Sequence, residues 1–439
     1  MENKRLLSLD VLRGLDMLIL TVVGPVFWAA NKVWPLPQAV QLQFKHAWGG
    51  FTFWDIIMPL FIFACGAAVP YALSKRLDED GWATAAFWKH VFARFALLWF
   101  GGLLVQGNLA TLDPLKISPF NNTLQAIAAG YLATALVMLI PFRTLRILIP
   151  LVFAGAYGAL LHLLGDYTAE GNLAQVVEQK VLGAILPANS AALKTHGYTW
   201  FLTSLMFGAM AMCGAQCAET LRGKWTKGRK ALTLFILGAA LLGAGWALTL
   251  LVPCIKHIFS VSFTCQAMGW CVLALAFLYV ITDVLGARRG WWLLVLYGQC
   301  AFTAYMATHF FKPTLAACTR SITQGIPRFI DKAYMPLTNA IVTAVILTLV
   351  LVIRRRLRRA QPVTGESGEE NAPNESPSEK KPTNSPAFKS QLMSGAIAER
   401  FQIPGMETKT QQAAPNAETQ ENGEATSQAS HVKTKLKIH

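Results

Sequence analysis

Ten apolar runs recur along the chain, separated by short charged or polar segments, and no other feature restricts its fold as much. They fall at about residues 11–30, 54–73, 91–107, 122–141, 146–165, 200–219, 231–252, 263–283, 291–309 and 336–353. Roughly 17–25 such residues suffice for a helix to cross the hydrocarbon of a bilayer. The pattern predicts an all-α, polytopic transmembrane bundle of about ten helices. Only 14% of the residues are charged and 54% are hydrophobic, against about a quarter charged in soluble domains. Residues 1–360 are read as the membrane-embedded domain. Arg94, inside the third run, is expected to snorkel to one end of its helix. The first run carries Asp10, Arg13 and Asp16 with no small-residue cleavage site after it, so it reads as a membrane helix rather than a signal peptide.

The basic residues alternate between loops. Lys4, Arg5 and Arg13 precede the first run, and Lys75, Arg76 and Lys89 follow the second. Further clusters follow the fourth (Arg143, Arg146), the sixth (Arg222 to Lys230), the eighth (Arg288, Arg289) and the tenth (Arg354 to Arg359). With ten helices all of these share one side, which then holds 21 Lys/Arg, Arg94 included, against 10 on the other. The positive-inside rule makes the richer side cytoplasmic and puts both termini there. The net charge of +15 is therefore topological rather than a nucleic-acid footprint, and no nucleic-acid partner is expected. Residues 361–439 are near neutral, with 8 Lys/Arg and 10 Asp/Glu, and rich in Glu, Ser, Pro, Gln and Asn. They read as a disordered cytoplasmic tail, with transient helix expected only at Phe388–Phe401.

The outer loops 31–53, 166–199 and 310–335 are longer than the inner ones, which places the chemistry at or just below the outer face. The richest segment is Lys45-His46-Ala47-Trp48-Gly49-Gly50-Phe51-Thr52-Phe53-Trp54-Asp55. His46 can act as a base or nucleophile near neutral pH. Asp55 opens the next helix, where a carboxylate either caps backbone N–H groups or orients an imidazole. Read blandly, the same residues are an interfacial Trp belt, a cap and an exposed loop histidine. Asp10 and Arg13 stand three apart on one helical face, as a local ion pair or as part of a phosphate-binding mouth. Gln125, one turn inside the fourth run, is interhelical glue or a ligand contact. His196-Gly197-Tyr198-Thr199-Trp200 and Pro253-Cys254-Ile255-Lys256-His257 bring further polar groups to the outer side. His90, His162 and His309 read as helix-end or interfacial residues, and His431 and His439 fall in the tail. Cys213 and Cys217 share a helix face, and Cys254 and Cys318 could pair across the outer loops. No metal spacing, Walker A loop or dinucleotide fingerprint occurs, so neither a metal nor an ATP-driven pump is expected.

These residues resemble the transmembrane acyltransferase superfamily that includes heparan-α-glucosaminide N-acetyltransferase, and its bacterial relatives above all. The resemblance lies in Arg5-x-x-Ser8-Leu9-Asp10-x-x-Arg13-Gly14 and in His46 followed by Trp48, Gly50 and Asp55. Pro59, Phe61 and Gly66 add to it, as do Leu124-Gln125 with Tyr131, Pro253-x-x-Lys256 with Ser260 and Ser262, and Gly298 with Tyr305. It implies acetyl transfer from cytoplasmic acetyl-CoA, across the membrane, to an amino sugar or glycan on the outer side. His46 is then the base or acyl carrier and Asp55 its orienter. Asp10 and Arg13 would serve the donor, Gln125 and Lys256 the acceptor. The implied partners are membrane lipid, acyl-CoA and a glycan acceptor, and the implied location is the inner (plasma) membrane. A homo-oligomer is left open. Ala126 stands where the family often has Arg and Cys300 where it often has Asn, which suits a divergent subfamily with another acceptor. The rival readings are a transporter or flippase for a polar solute or glycolipid, and a catalytically inactive relative.

Overall fold

The computed structural model describes residues 6–360 except 79–80, 107–108 and 195–196. The tail with its Phe388–Phe401 segment, His431 and His439, and also Lys4, Arg5 and His196, lie outside the described residues. One isolated bridge joins Leu77 and Ala83, and no β-strand occurs among the described residues.

The described residues are mostly helical. The elements are α1 (Leu7–Val33), α2 (Phe53–Arg76), α3 (Ala85–Val105), α4 (Thr123–Met138), α5 (Arg143–Leu164) and α6 (Leu173–Ile185). They continue with α7 (Ser204–Arg222), α8 (Lys227–Leu248), α9 (Val261–Val284), α10 (Trp292–Gln299), α11 (Ala301–His309), α12 (Lys312–Thr323) and α13 (Met335–Ala360). Each apolar run falls on a helix, and the ninth is divided between α10 and α11 at Cys300. Amphipathic α6 and the polar α12 lack the long apolar signature and were not expected. Among the described residues, six helical stretches are long and apolar enough to cross a membrane: α1, α2, α5, α8, α9 and Lys332–Arg358, which contains most of α13. Cys254 and Cys318 are both free thiols, the first buried and the second exposed.

Local chemistry starts the helices where the polar residues stand. Thr84, Asn122, Asn172, Thr226 and Ser260 each accept a backbone N–H at the first turn of α3, α4, α6, α8 and α9. A widened π turn at Ile19–Val23 precedes Pro25 in α1, where proline has no N–H to offer the carbonyl four residues back.

α2 is the central helix and packs against α1, α4, α7 and α9. Close approach depends on glycine. A Cβ on Gly66 would overlap the Ala211 backbone, and one on Gly214 the Phe63 backbone, locking α2 to α7. Gly14 and Gly298 do the same between α1 and α10, against Leu294 and Asp10. Small residues at such crossings are how helices gain contact where lipid is as apolar as any side chain. The outer helices present the opposite surface. Leu148, Leu151 and Leu163 on α5, Ile236 on α8, and Val345 and Leu349 on α13 are exposed. So much unpartnered apolar surface is stable in hydrocarbon rather than in water, which makes this a membrane protein.

Candidate functional site

The site begins with a capping box. α2 opens in a tight turn at Thr52, whose backbone N–H lies 2.8 Å from Asp55 Oδ2 and whose hydroxyl lies 2.8 Å from the same oxygen. This fixes the rotamer of Asp55 and leaves Oδ1 free to turn toward the loop. His46 Nδ1 lies 2.6 Å from Oδ1. Nδ1–H donation to the carboxylate leaves Nε2 as the basic nitrogen. The Asp55 side chain is 1% exposed and that of His46 32%, so the carboxylate is sealed behind a ring that faces open space.

The third member comes from the far end of the chain. Lys256 Nζ lies 3.4 Å from Asp55 Oδ1, and 3.1 and 3.3 Å from Nδ1 and Nε2 of His46. An in-plane hydrogen bond to one ring nitrogen would leave the other much farther away. Near-equal distances therefore place the ammonium over the face of the imidazole. Burial pushes Lys256 down to about 8, with the Asp55 charge holding it up in part.

The segment carrying Lys256 is held tightly. Gly50 donates its N–H to the Cys254 carbonyl at 2.8 Å with a φ of +96°, a conformation that favours glycine. Nothing lies within 4 Å of a Cβ built on Gly49 or Gly50, so this loop serves backbone pairing and borders open space. Phe259 takes a φ of +45°, a conformation uncommon for a bulky residue. Tyr157 donates its hydroxyl to the Ile258 carbonyl, and Ile255 and Ser260 bond to each other across the turn. His257 stacks between Trp48 and Tyr198, at ring distances of 5.1 and 4.5 Å. Burial first, then the neighbouring His46 and Lys256, push His257 down, which keeps it neutral. The Cys254 thiol is pushed up to about 12 by burial and by Asp55, so it is no nucleophile.

His46 and Lys256 line a cavity of about 230 Å³ together with Trp54, Gln106, Asn121, Tyr198, Trp200 and His309. A second cavity, of about 220 Å³, is lined by Arg13, Arg94, Cys65, Gly298 and Gln299 among others. Phe61, Thr123 and Tyr305 line both. Arg13 pairs with Asp10 at 3.8 Å, and Asp10 itself does not line the cavity. Arg94 does not reach away along its helix as expected. Its guanidinium turns inward, 3.4 Å from Cys65 Sγ and 4.8 Å from the Tyr131 ring centre, without a carboxylate partner among the described residues. Gln125 lines neither cavity. Its amide is used on the chain entering α4, accepting from Asn121 N at 2.9 Å and donating to Pro119 O at 2.6 Å.

The structure thus brings His46, Asp55 and Lys256 together, puts Arg13 on the adjoining cavity, and sets Asp10 and Gln125 behind the walls. Arg94 and His309 join the site although their sequence context did not mark them as part of it, and Thr52, inside the segment read as richest, joins it as the cap that holds Asp55. The S/T-x-x-D spacing of a capping box was the available signal for Thr52. An unneutralised arginine in mid-run was the signal for Arg94.

Two comparisons bear on this geometry. Residues 5–110 match a family described as a domain of unknown function (DUF5009). The chain is also similar to human heparan-alpha-glucosaminide N-acetyltransferase, with 22% identity over 346 residues, or 65% of this chain. It spans about half of that relative, the match covering 50% of its length.

Proposed function

We propose that this chain is a membrane acyltransferase. It moves an acetyl or other short acyl group from cytoplasmic acyl-CoA to an amino sugar or glycan on the outer side of the inner (plasma) membrane. The observation that carries this reading is the His46–Asp55–Lys256 cluster in a cavity that shares three wall residues with a second, arginine-lined one. The distant similarity to a membrane N-acetyltransferase supports the reaction class.

In this reading ten helices cross the membrane, both ends are cytoplasmic, and residues 361–439 form a tail on that side. α3 then runs outward, and Arg94 sits about 14 Å along it at 1.5 Å per residue. Arg13 and Arg94 would hold the anionic part of the donor, and its thioester arm would pass Thr123 and Tyr305 toward His46. The acceptor's nucleophilic atom forms a bond to the thioester carbonyl carbon while His46 Nε2 takes its proton. The C–S bond then breaks, and the leaving thiolate receives that proton. Asp55 holds the ring and supports the imidazolium. Lys256 supplies positive charge beside the developing oxyanion. The same nitrogen could instead carry the acyl group, as an acyl-imidazole attacked by the acceptor in a second step.

The test is acyl transfer by purified protein in detergent with radiolabelled acetyl-CoA, with and without glucosamine. Label on sugar or protein that disappears in His46→Ala supports the proposal. A wild type that neither binds acetyl-CoA nor transfers label defeats it.

A further inference from the structure

The cavity beside His46 holds information about what it accepts. Eight of its lining side chains are polar: His46, Gln106, Asn121, Thr123, Tyr198, Lys256, Tyr305 and His309, and none is a carboxylate. The residues 107–108 and 195–196, outside the described set, are Gly, Asn, Thr and His, so they add no acid. Two buried carboxylates stand behind the walls: Asp55, engaged by His46, Lys256 and Thr52, and Glu178, which accepts the backbone N–H groups of Trp200 and Phe201. Among the described residues, a cation entering here would meet an ammonium and no carboxylate in the lining.

Both tyrosines of the lining already have neighbours on their rings. Lys256 Nζ lies 6.0 Å from the Tyr198 ring centre. His309 stacks on Tyr305 at 4.1 Å, with the ring planes within 8°. Tyr198, which also stacks on His257, and Tyr305 are thus already engaged. What remains are amides, hydroxyls and the indoles of Trp54 and Trp200, a lining that hydrogen-bonds and packs against neutral polyols.

We infer that the acceptor is a neutral sugar hydroxyl rather than a protonated amine, so that the enzyme forms an oxygen ester. The inference rests on the acyltransferase reading and names the acceptor class of that same site. The hydroxyl oxygen bonds to the thioester carbonyl carbon, its proton passes to His46 Nε2, and the C–S bond breaks. The thiolate leaves and takes up the proton, giving an ester and free thiol. A charged glucosammonium must shed its proton before it can enter and react.

The experiment offers wild-type protein radiolabelled acetyl-CoA with equal concentrations of N-acetylglucosamine, which has hydroxyls and no free amine, or glucosamine. Each product is then exposed to mild alkali, which cleaves oxygen esters and spares amides. The expected result is label on N-acetylglucosamine at least as fast as on glucosamine at pH 7, all of it released by alkali. Alkali-stable label on glucosamine alone overturns the inference and leaves the acyltransferase reading standing. Acetyl-CoA binding with label on neither sugar also overturns it. Loss of both binding and transfer removes the acyltransferase reading itself.

Discussion

Replacing Lys256 by methionine separates a residue kept for chemistry from one kept for stability. The ammonium is buried and pushed from 10.5 to about 8 even with Asp55 beside it. At roughly 1.4 kcal/mol per tenfold change in proton affinity, keeping it charged in the fold costs about 3 kcal/mol. A methionine side chain, of similar length, would remove that cost. Asp55 loses one partner, and breaking a buried pair typically costs about 3–5 kcal/mol only when a charge is stranded. Asp55 is not stranded here, because His46 and Thr52 still donate to it. The cost of about 3 kcal/mol is already net of the attraction to Asp55, so the melting temperature of Lys256→Met at neutral pH should be at or above that of wild type. Acyl transfer should fall on the order of 10²-fold, as when one oxyanion donor is lost. The stability difference should also depend on pH. With the folded pKa below the unfolded one, the wild-type penalty is full below about 8 and disappears as pH rises to 10.5. Wild type should therefore gain stability relative to the variant across that window. Tryptophan fluorescence melts in detergent and initial rates per folded molecule measure both quantities. A variant that loses about 3 kcal/mol or more of stability at pH 7 while keeping its rate would contradict this account and make Lys256 a structural residue.

Four other perturbations follow from the same geometry. His46→Ala should lower acyl transfer by about 10²–10⁴-fold, the range for a positioned base, with little change in melting temperature, since the ring is part-exposed. Thr52→Ala should cost about 1 kcal/mol of stability through loss of the cap. It should also reduce the rate by freeing the Asp55 rotamer, and a rate unchanged per folded molecule would argue against that role. Arg94→Met should raise the KM for acetyl-CoA about tenfold, the worth of one charge-assisted contact, and leave kcat nearly intact. Equal losses in both constants would place Arg94 elsewhere in the mechanism. Gly66→Leu should abolish folded, monodisperse protein on size exclusion, because a side chain there meets the Ala211 backbone rather than a yielding side chain.

Helix positions were legible because they depend on neighbours in the chain. An apolar run bounded by polar caps specifies a helix wherever it occurs, and each of the ten runs lies on one. The pairing of His46 with Asp55 was also within reach, since nine residues and one helix start separate them. α6 and α12 were missed for the converse reason: their stretches carry too many polar residues for an apolar-run criterion, and packing and caps make them helical.

The rest depends on packing between segments far apart in sequence. Lys256 stands 210 residues from the histidine it covers. Its arrival depends on Gly50 pairing with Cys254 and on the turn that Tyr157 and Ser260 hold closed. Arg94 could face lipid, water or interior on composition alone, and the fold turns it toward Cys65 and Tyr131. Gln125 has the same hydrogen-bonding capacity in either of its roles, and only the path of residues 119–121 shows that its amide is already used. A chain of membrane helices with a histidine beside the start of one of them was written locally, because hydrophobicity and capping act over a few residues. Which charges meet, which walls two cavities share and which lysine reaches Asp55 were settled only when the helices packed. Those outcomes depend on interhelical registers set by glycine contacts such as Gly66 on Ala211 and Gly298 on Asp10, and no local pattern in the chain encodes them.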